Sequence, residues 1–228
     1  MAGLVDLTGA RAMILLLGGE KGGTGKSTVA VNLAVWLAHR GADVLLIDTD
    51  RQRTASHFVD RRNGLDGVPV VHCAEKHGNV FDTVRDLAKR YEQVVIDAGG
   101  RDSEELRTAL VAAHVLYCPL KASQPDLETS VHMNELVKLA RGMNPALQTR
   151  LLISMGPTNP VIHEAQEAQE LLGQLTEFSL SEVVIRDRKV YRDAMAEGRG
   201  VIELSNDKAT AEIEALAREI YPTMGVPA

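Results

Sequence analysis

The chain has 228 residues, with 25 lysines and arginines against 31 aspartates and glutamates, for a formal net charge of −6. At roughly 150 residues per domain this is one large domain or two small ones. A hydrophobic fraction of 45% and a charged fraction of 25% exclude a mainly disordered chain, and two cysteines, Cys73 and Cys118, exclude a disulfide framework. Aromatic residues make up only 4%, so the core must be aliphatic, which favours Val/Ile/Leu strands under Ala/Leu helices over an aromatic-rich all-β sandwich. No apolar run approaches the ~18 residues of a membrane span. The segment Met1–Met13 lacks the basic-then-apolar layout of a secretion signal, so a cytoplasmic protein is expected.

Apolar runs alternate with helical-period segments. Met13–Leu17 reads as a strand running into Gly18-Gly19, and Ser27–Arg40 as a helix stopped by Gly41. Val44–Ile47 is a buried strand ending in Asp48, and Val68–Cys73 is another strand. Val80, Phe81, Val84, Leu87, Ala88 and Tyr91 recur at helical spacing. Gln93–Ile96 is a strand ending in Asp97, Val115–Pro119 a strand, and Asp126–Arg141 a long helix. A strand over Leu151–Ser154, a helix over His163–Leu175, a strand over Val183–Ile185 and a helix striped by Ile213, Leu216, Ala217 and Ile220 complete the chain. Unbroken aliphatic strands followed by helices predict an α/β fold: one domain with a mostly parallel twisted sheet covered by helices on both faces. Such sheets bind ligands at the carboxyl ends of their strands, where Asp48, Asp97 and a glycine-rich stretch all fall.

That stretch, Gly18-Gly19-Glu20-Lys21-Gly22-Gly23-Thr24-Gly25-Lys26-Ser27-Thr28, lies between the first strand and the first helix. Its glycines let successive amide groups turn inward as an anion nest, and the following helix adds its positive N-terminal end. Lys26 would reach the β- and γ-phosphates of a nucleotide, and the Ser27 hydroxyl would ligate Mg²⁺. The strict pattern G-x-x-x-x-G-K-[ST] is not met, because Glu20 stands at its first glycine.

Lys21-Gly22-Gly23-Thr24-Gly25-Lys26-Ser27 resembles the deviant Walker A motif of the ParA/MinD ATPases. The resemblance extends over nearly the whole chain. Val44–Gln52 is similar to the family's second motif, Val94–Asp97 to its Walker B strand, and Ile185–Ala194 to a late segment of the short plasmid-type partition ATPases. It implies a P-loop ATPase domain over residues 13–228 behind an N-terminal extension of residues 1–12. It implies ATP on Gly22, Gly23, Thr24, Gly25, Lys26, Ser27 and Thr28, and Mg²⁺ near Ser27, with Asp48 and Asp97 acting through water. It further implies that Lys21 reaches across an ATP homodimer to the partner's nucleotide, and that Asp50 orients or deprotonates the attacking water. Lys21, Lys26 and Asp50 are thus the expected catalytic set. An Asp at its ordinary pKa of ~3.9 is a weak base, which fits slow hydrolysis.

Two departures stand out. Arg51 replaces the usual Pro, so that Arg51-Gln52-Arg53-Thr54 resembles the loop of the division-site-positioning member MipZ, and Ala98-Gly99-Gly100 replaces the commoner Thr-Pro-Pro. The loops Pro119–Asp126 and Met155–Pro160 are candidates for contact with the base. Arg186, Arg188, Lys189 and Arg192 place four cations within seven positions, and in a dimer they would form a stripe that grips phosphates without reading bases. The family resemblance implies non-specific DNA binding in the ATP state, with nucleoid association, and a cargo-bound or centromere-binding partner that stimulates hydrolysis. A sequence-reading domain is not expected ahead of the loop, nor is a membrane surface, since the tail from Lys208 reads as a packed helix.

The function expected is an ATP-dependent DNA partition ATPase. The alternatives are the same switch positioning another cargo (a chemoreceptor cluster, a microcompartment or the division machinery) and a metabolic ligase of the dethiobiotin-synthetase type. A metal site at His72, Cys73 and His77 is disfavoured, because strand neighbours point to opposite faces. So is a cluster-binding reductase, because Cys118 sits inside a strand.

Overall fold

A computed structural model of the chain describes residues 12–121, 124–157 and 175–224. The expected N-terminal extension and most of the helix expected over His163–Leu175 lie outside these residues. The described chain runs β1 (Met13–Leu17), α1 (Lys26–His39), β2 (Val44–Asp48), α2 (Thr54–Arg62), β3 (His72–Glu75), α3 (Phe81–Leu87), β4 (Gln93–Asp97) and α4 (Glu104–Ala112). It continues with β5 (Val115–Leu120), α5 (Gln124–Arg141), β6 (Gln148–Gly156), β7 (Ser179–Arg186), α6 (Lys189–Glu197), a 3₁₀ turn (Val201–Glu203) and α7 (Asp207–Ile220). The strands form one sheet in the order β3-β2-β4-β1-β5-β6-β7, every described pair parallel. This is the α/β architecture the aliphatic runs predict.

Strand alternation divides the core in two. Leu15 and Leu17 of β1, with Leu46 and Val95, face α1, α2, α6 and α7, where Trp36, Phe58, Ile213 and Leu216 are buried. Ile14 and Leu16, with Ile47 and Ile96, face α3, α4 and α5, against Val84, Leu106, Leu110 and Leu136. Helix α1 is apolar almost all round because α7 covers the side that the sheet does not. Trp36 of α1 stacks on Tyr221 just past α7, with ring centroids 6.3 Å apart.

Sequence and structure differ at strand β3 and at helices α2 and α4. Strand β3 is shifted towards the C-terminus from the expected Val68–Cys73: Val70 is 62% exposed, and Pro69 has no N–H to give a ladder. Helices α2 and α4 were not among the expected elements. Helix α4 carries an ordinary start signal, Ser103, whose hydroxyl accepts from the Leu106 N–H at 3.2 Å, followed by Glu104 and Glu105. Helix α2 has no cap on its own segment; its donors go to Asp48, at the end of β2.

The end of α2 is anchored by a buried ion pair. Arg62, fully enclosed, gives Nη1 and Nη2 to Glu203 at 2.9 and 2.8 Å, and bonds the Pro69 and Gly198 carbonyls. Burial alone would raise the Glu203 carboxyl. The bonds from Arg62, His39 and the Gly200 N–H outweigh it and hold that carboxyl at about 2. The folded value lies below the unfolded one, so this stabilisation is complete above the unfolded pKa of ~4.3 and is lost as pH falls from there towards 2. Arg62→Ala strands a buried carboxylate and should cost about 3–5 kcal/mol at pH 7 by urea denaturation, with a smaller loss of stability below pH 4 than in the parent.

Candidate functional site

Strand register assembles the site. Leu17 lies beside Asp97, Asp97 beside Asp48, and Asp48 beside Glu75, so the carboxyl ends of β1, β4, β2 and β3 are level. The chain reverses its direction of winding at β1, between β4 and β5, and the glycine loop leaves the sheet at this switch point. Gly23 and Gly25 take φ of +73° and +88°, in the left-handed region that a side chain disfavours. Gly25 precedes α1, whose first turn has no acidic residue and no side-chain cap, leaving its amide groups for an anion.

Lys26 lies beneath this loop, 6% exposed, and donates Nζ to the Lys21 carbonyl at 2.6 Å. Burial lowers its pKa; Asp97, Cys118 and Asp50 oppose the shift and keep charge in reach. The loop is tied to β6 by the Ser154 hydroxyl, which donates to the Thr24 carbonyl at 2.6 Å. Lys21 itself is half-buried on the rim, and Gly22 and Gly23 are exposed.

The carboxylates behave differently. Asp97 is fully buried, and neither oxygen accepts a hydrogen bond of regular geometry. Burial pushes its pKa up to about 8 even though the neighbouring Ser27 hydroxyl favours ionisation. A buried carboxylate lacking regular hydrogen bonds, beside a hydroxyl and two further aspartates, is the donor set of a hard divalent cation. Asp48 is also buried, but Oδ2 accepts from the Ser56 N–H and hydroxyl at 2.8 and 3.0 Å, and Oδ1 from the Asp50 N–H at 3.0 Å. It therefore caps α2 and shapes the turn carrying Asp50. Burial raises its pKa, against these bonds. Asp50 is half-buried, and its Oδ1 accepts from the Gln52 N–H at 3.0 Å.

The loop after β4 closes the other side. A Cβ on Gly100 would lie 2.7 Å from the Gly22 nitrogen and 2.9 Å from the Lys21 carbonyl carbon, so this residue packs backbone to backbone against the glycine loop. Gly99 faces the Asp50 carboxylate in the same way, its Cβ position 3.4 Å from Cγ. Between the loops is an open cleft of about 490 Å³ bordered by Gly22, Asp50, Arg51, Gly99, Gly100 and Arg101. At its edge, Nε2 of His132 on α5 lies 3.4 Å from both Glu20 and Asp102, and Arg107 holds the Asp102 carboxyl down at about 2. Sequence reasoning noted Glu20 only as a departure from a motif; nothing local to it signals a histidine from a distant helix.

The basic segment has an unexpected setting. Arg186, Arg188 and Arg192 border a second groove of about 340 Å³, together with Gly25, Thr28 and Met155. Arg188 pairs with Glu212, Lys189 with Asp193 and Arg192 with Asp187, while Arg186 reaches the Pro157 carbonyl at 2.9 Å. Met155, whose backbone takes φ of +52°, brings the front of the Met155–Pro160 loop to this groove; Pro157 is its last described residue before the gap. Pro119 lies on the opposite side of the glycine loop, beside Gly19 and Thr24, and part of the Pro119–Asp126 loop is outside the described residues.

Residues 15–217 match the family model described as the CobQ/CobB/MinD/ParA nucleotide binding domain. The chain belongs to this family of nucleotide-binding ATPases. Among similar proteins, two are named maintenance of carboxysome distribution protein A. The one from Halothiobacillus neapolitanus is 27% identical, over 93% of this chain and 98% of its own. The one from Gloeobacter kilaueensis is 30% identical, over 88% of each. The chromosome-partitioning ATPase Soj of Thermus thermophilus is 28% identical over 70% of this chain and 76% of its own. A solved ATP complex of Cyanothece McdA superposes with a TM-score of 0.78 at 15% identity, covering 96% of this chain and all of that one, and shares the fold. No helix among the described residues is long and apolar enough to cross a membrane.

The Gly100 contact generates a direct test. Gly100→Ala must displace either the loop after β4 or the Lys21–Gly22 peptide, and the thermal shift that MgATP induces should fall by more than half while the protein without nucleotide stays folded by circular dichroism.

Proposed function

We propose that this chain is an ATP-switched positioning ATPase of the ParA/MinD type, acting as a dimer on DNA. ATP lies on Gly22, Gly23, Thr24, Gly25, Lys26, Ser27 and Thr28, with its base towards the groove beside Thr28 and Met155. The single observation that carries this reading is the wholly buried carboxylate of Asp97, with no hydrogen bond of regular geometry, beside the Ser27 hydroxyl and under the glycine loop. Ser27 and Asp97, with Asp48 through water, are the residues that would hold Mg²⁺, which neutralises charge on the transferring phosphoryl group when bound. Lys26 moves from the Lys21 carbonyl to the phosphates. Asp50, its direction set by the Gln52 N–H and the flat face of Gly99, orients the water.

In the ATP state two subunits close face to face, and Lys21 of each reaches the other's nucleotide. The closed dimer holds DNA without reading its sequence, through the Arg186–Arg192 segment, and a cargo-bound partner resets it by accelerating hydrolysis. The γ-phosphate is the ligand that biases the two states. The cargo has two readings. Segregation of DNA follows from the likeness of Ile185–Ala194 to partition ATPases, and Soj supports it. Spacing of a protein microcompartment is favoured by the two similar proteins named for carboxysome distribution, which this chain matches over most of its length.

Lys26→Ala should abolish binding of a fluorescent ATP analogue. Lys21→Ala should keep that binding but remain monomeric in sedimentation with MgATP; a variant that still dimerises removes the assigned role. Asp50→Ala should lower hydrolysis on the order of a hundredfold and accumulate the dimer, read by phosphate release beside light scattering. On duplex DNA the protein should be retained with a non-hydrolysable ATP analogue and released with ADP; equal retention contradicts the switch.

A further inference from the structure

We propose that Arg51 and Arg101 are ligands of the terminal phosphate of ATP and set the preference of this protein for ATP over ADP. This rests on the ATP reading above and adds two residues to its site. Both border the cleft formed by Gly22, Asp50, Gly99 and Gly100. They stand on different arms of it: Arg51 follows Asp50 on the loop after β2, and Arg101 follows Gly100 on the loop after β4.

Both side chains are exposed, and neither makes a hydrogen bond or ion pair among the described residues. The cations near them on the same two arms are engaged: Arg53 holds Glu75, and Arg107 holds Asp102. The acids of the same cleft are also engaged: Asp102 by Arg107, and Glu105 by the Gly78 N–H at 2.8 Å. Two unpaired guanidinium groups therefore face one opening whose floor is loop backbone.

The charge of Asp50 makes these cations necessary. Its carboxylate borders the place where the end of a triphosphate on Gly22–Thr28 emerges, and alone it would repel that phosphate. A guanidinium is planar, always charged, and matches phosphate oxygens with paired N–H groups. One such group from each loop offsets the carboxylate and offers four directed donors. Since the two groups sit on separate loops, a terminal phosphate links the loop after β2 to the loop after β4, and a diphosphate does not. The Gly100 contact then passes that difference to the Lys21–Gly22 peptide.

The test is equilibrium binding of a fluorescent non-hydrolysable ATP analogue and a fluorescent ADP to the full chain with Mg²⁺, for the parent, Arg51→Ala, Arg101→Ala, the double variant and the lysine variants, with dimerisation read in parallel. Each alanine should lower affinity for the ATP analogue by about tenfold, as expected for one charged hydrogen bond, with ADP affinity unchanged. Lysine should restore part of the loss. The positions are exposed, so the melting temperature without nucleotide should stay put and confirm folding. A double variant with the parent's preference overturns the proposal alone, as does an equal loss for both nucleotides. Unchanged ATP affinity with loss of the dimer also overturns it, and places the arginines against a second copy. A parent that binds neither nucleotide overturns the ATP reading and this inference together.

Discussion

Asp97 is the constraint around which the rest of the structure is arranged. Parallel register puts its carboxylate level with the end of β1 on one side and with Asp48 on the other, in the middle of an aliphatic sheet. Burying that group without a regular hydrogen bond is unfavourable by several kcal/mol unless it is protonated or meets a cation. Burial pushes its pKa up to about 8, the same penalty expressed in protons. Nothing in the packing of β4 requires a polar end. Val94, Val95 and Ile96 satisfy the sheet, and an apolar residue at position 97 would continue the run. The site is thus bought with fold stability, and the group that recovers the loss must bring positive charge to exactly one strand end.

Around that point the chain builds contacts that are close but replaceable. Lys26 donates to a backbone carbonyl of its own loop, a bond any stronger anion in the nest would displace. Gly100 touches the same peptide from the other side, through backbone alone. The Lys21–Gly22 peptide is therefore held between the Lys26 ammonium and a loop that begins at the buried aspartate. A small movement of either reaches Lys21 without a chain of side chains in between. Asp48 stands outside this exchange. Its oxygens hold the start of α2, so the turn carrying Asp50 and Arg51 is referenced to the sheet rather than to the ligand.

How much of this was legible in the sequence follows from where each signal resides. The strands were readable because their aliphatic runs are local, and the glycine loop because its residue types and order are local too. Helix α4 was also readable in principle: Ser103 followed by two glutamates marks a helix start, although the apolar runs on either side dominate the stretch. Helix α2 was not, because its cap is Asp48 from the preceding strand and its far end is anchored by Glu203, a residue from the opposite end of the chain. Strand β3 moved because apolar character at Val68–Val71 says nothing about ladder donors, which Pro69 lacks. The Glu20–His132–Asp102 meeting is a product of the sheet order and has no signature along the chain.

The distribution of positive charge shows the same limit most clearly. By sequence the conspicuous cations are the four between 186 and 192, and by structure three of them hold carboxylates and the fourth a carbonyl. Arg51 and Arg101, which form no cluster of charge, make no hydrogen bond or ion pair among the described residues and border the cleft beside Gly22 and Asp50. A paired arginine at the surface can still exchange its carboxylate for a phosphate, since exposed pairs contribute at most about 1 kcal/mol, and Lys189 and Arg192 are exposed enough to do so. Arg188 is not: its side chain is 19% exposed and its partner Glu212 13%, and Glu212 also accepts from Tyr191. DNA contact through this segment would therefore fall on its outer cations, while Arg188 fixes α6 to α7. A grip through those two side chains would be weak and salt-sensitive.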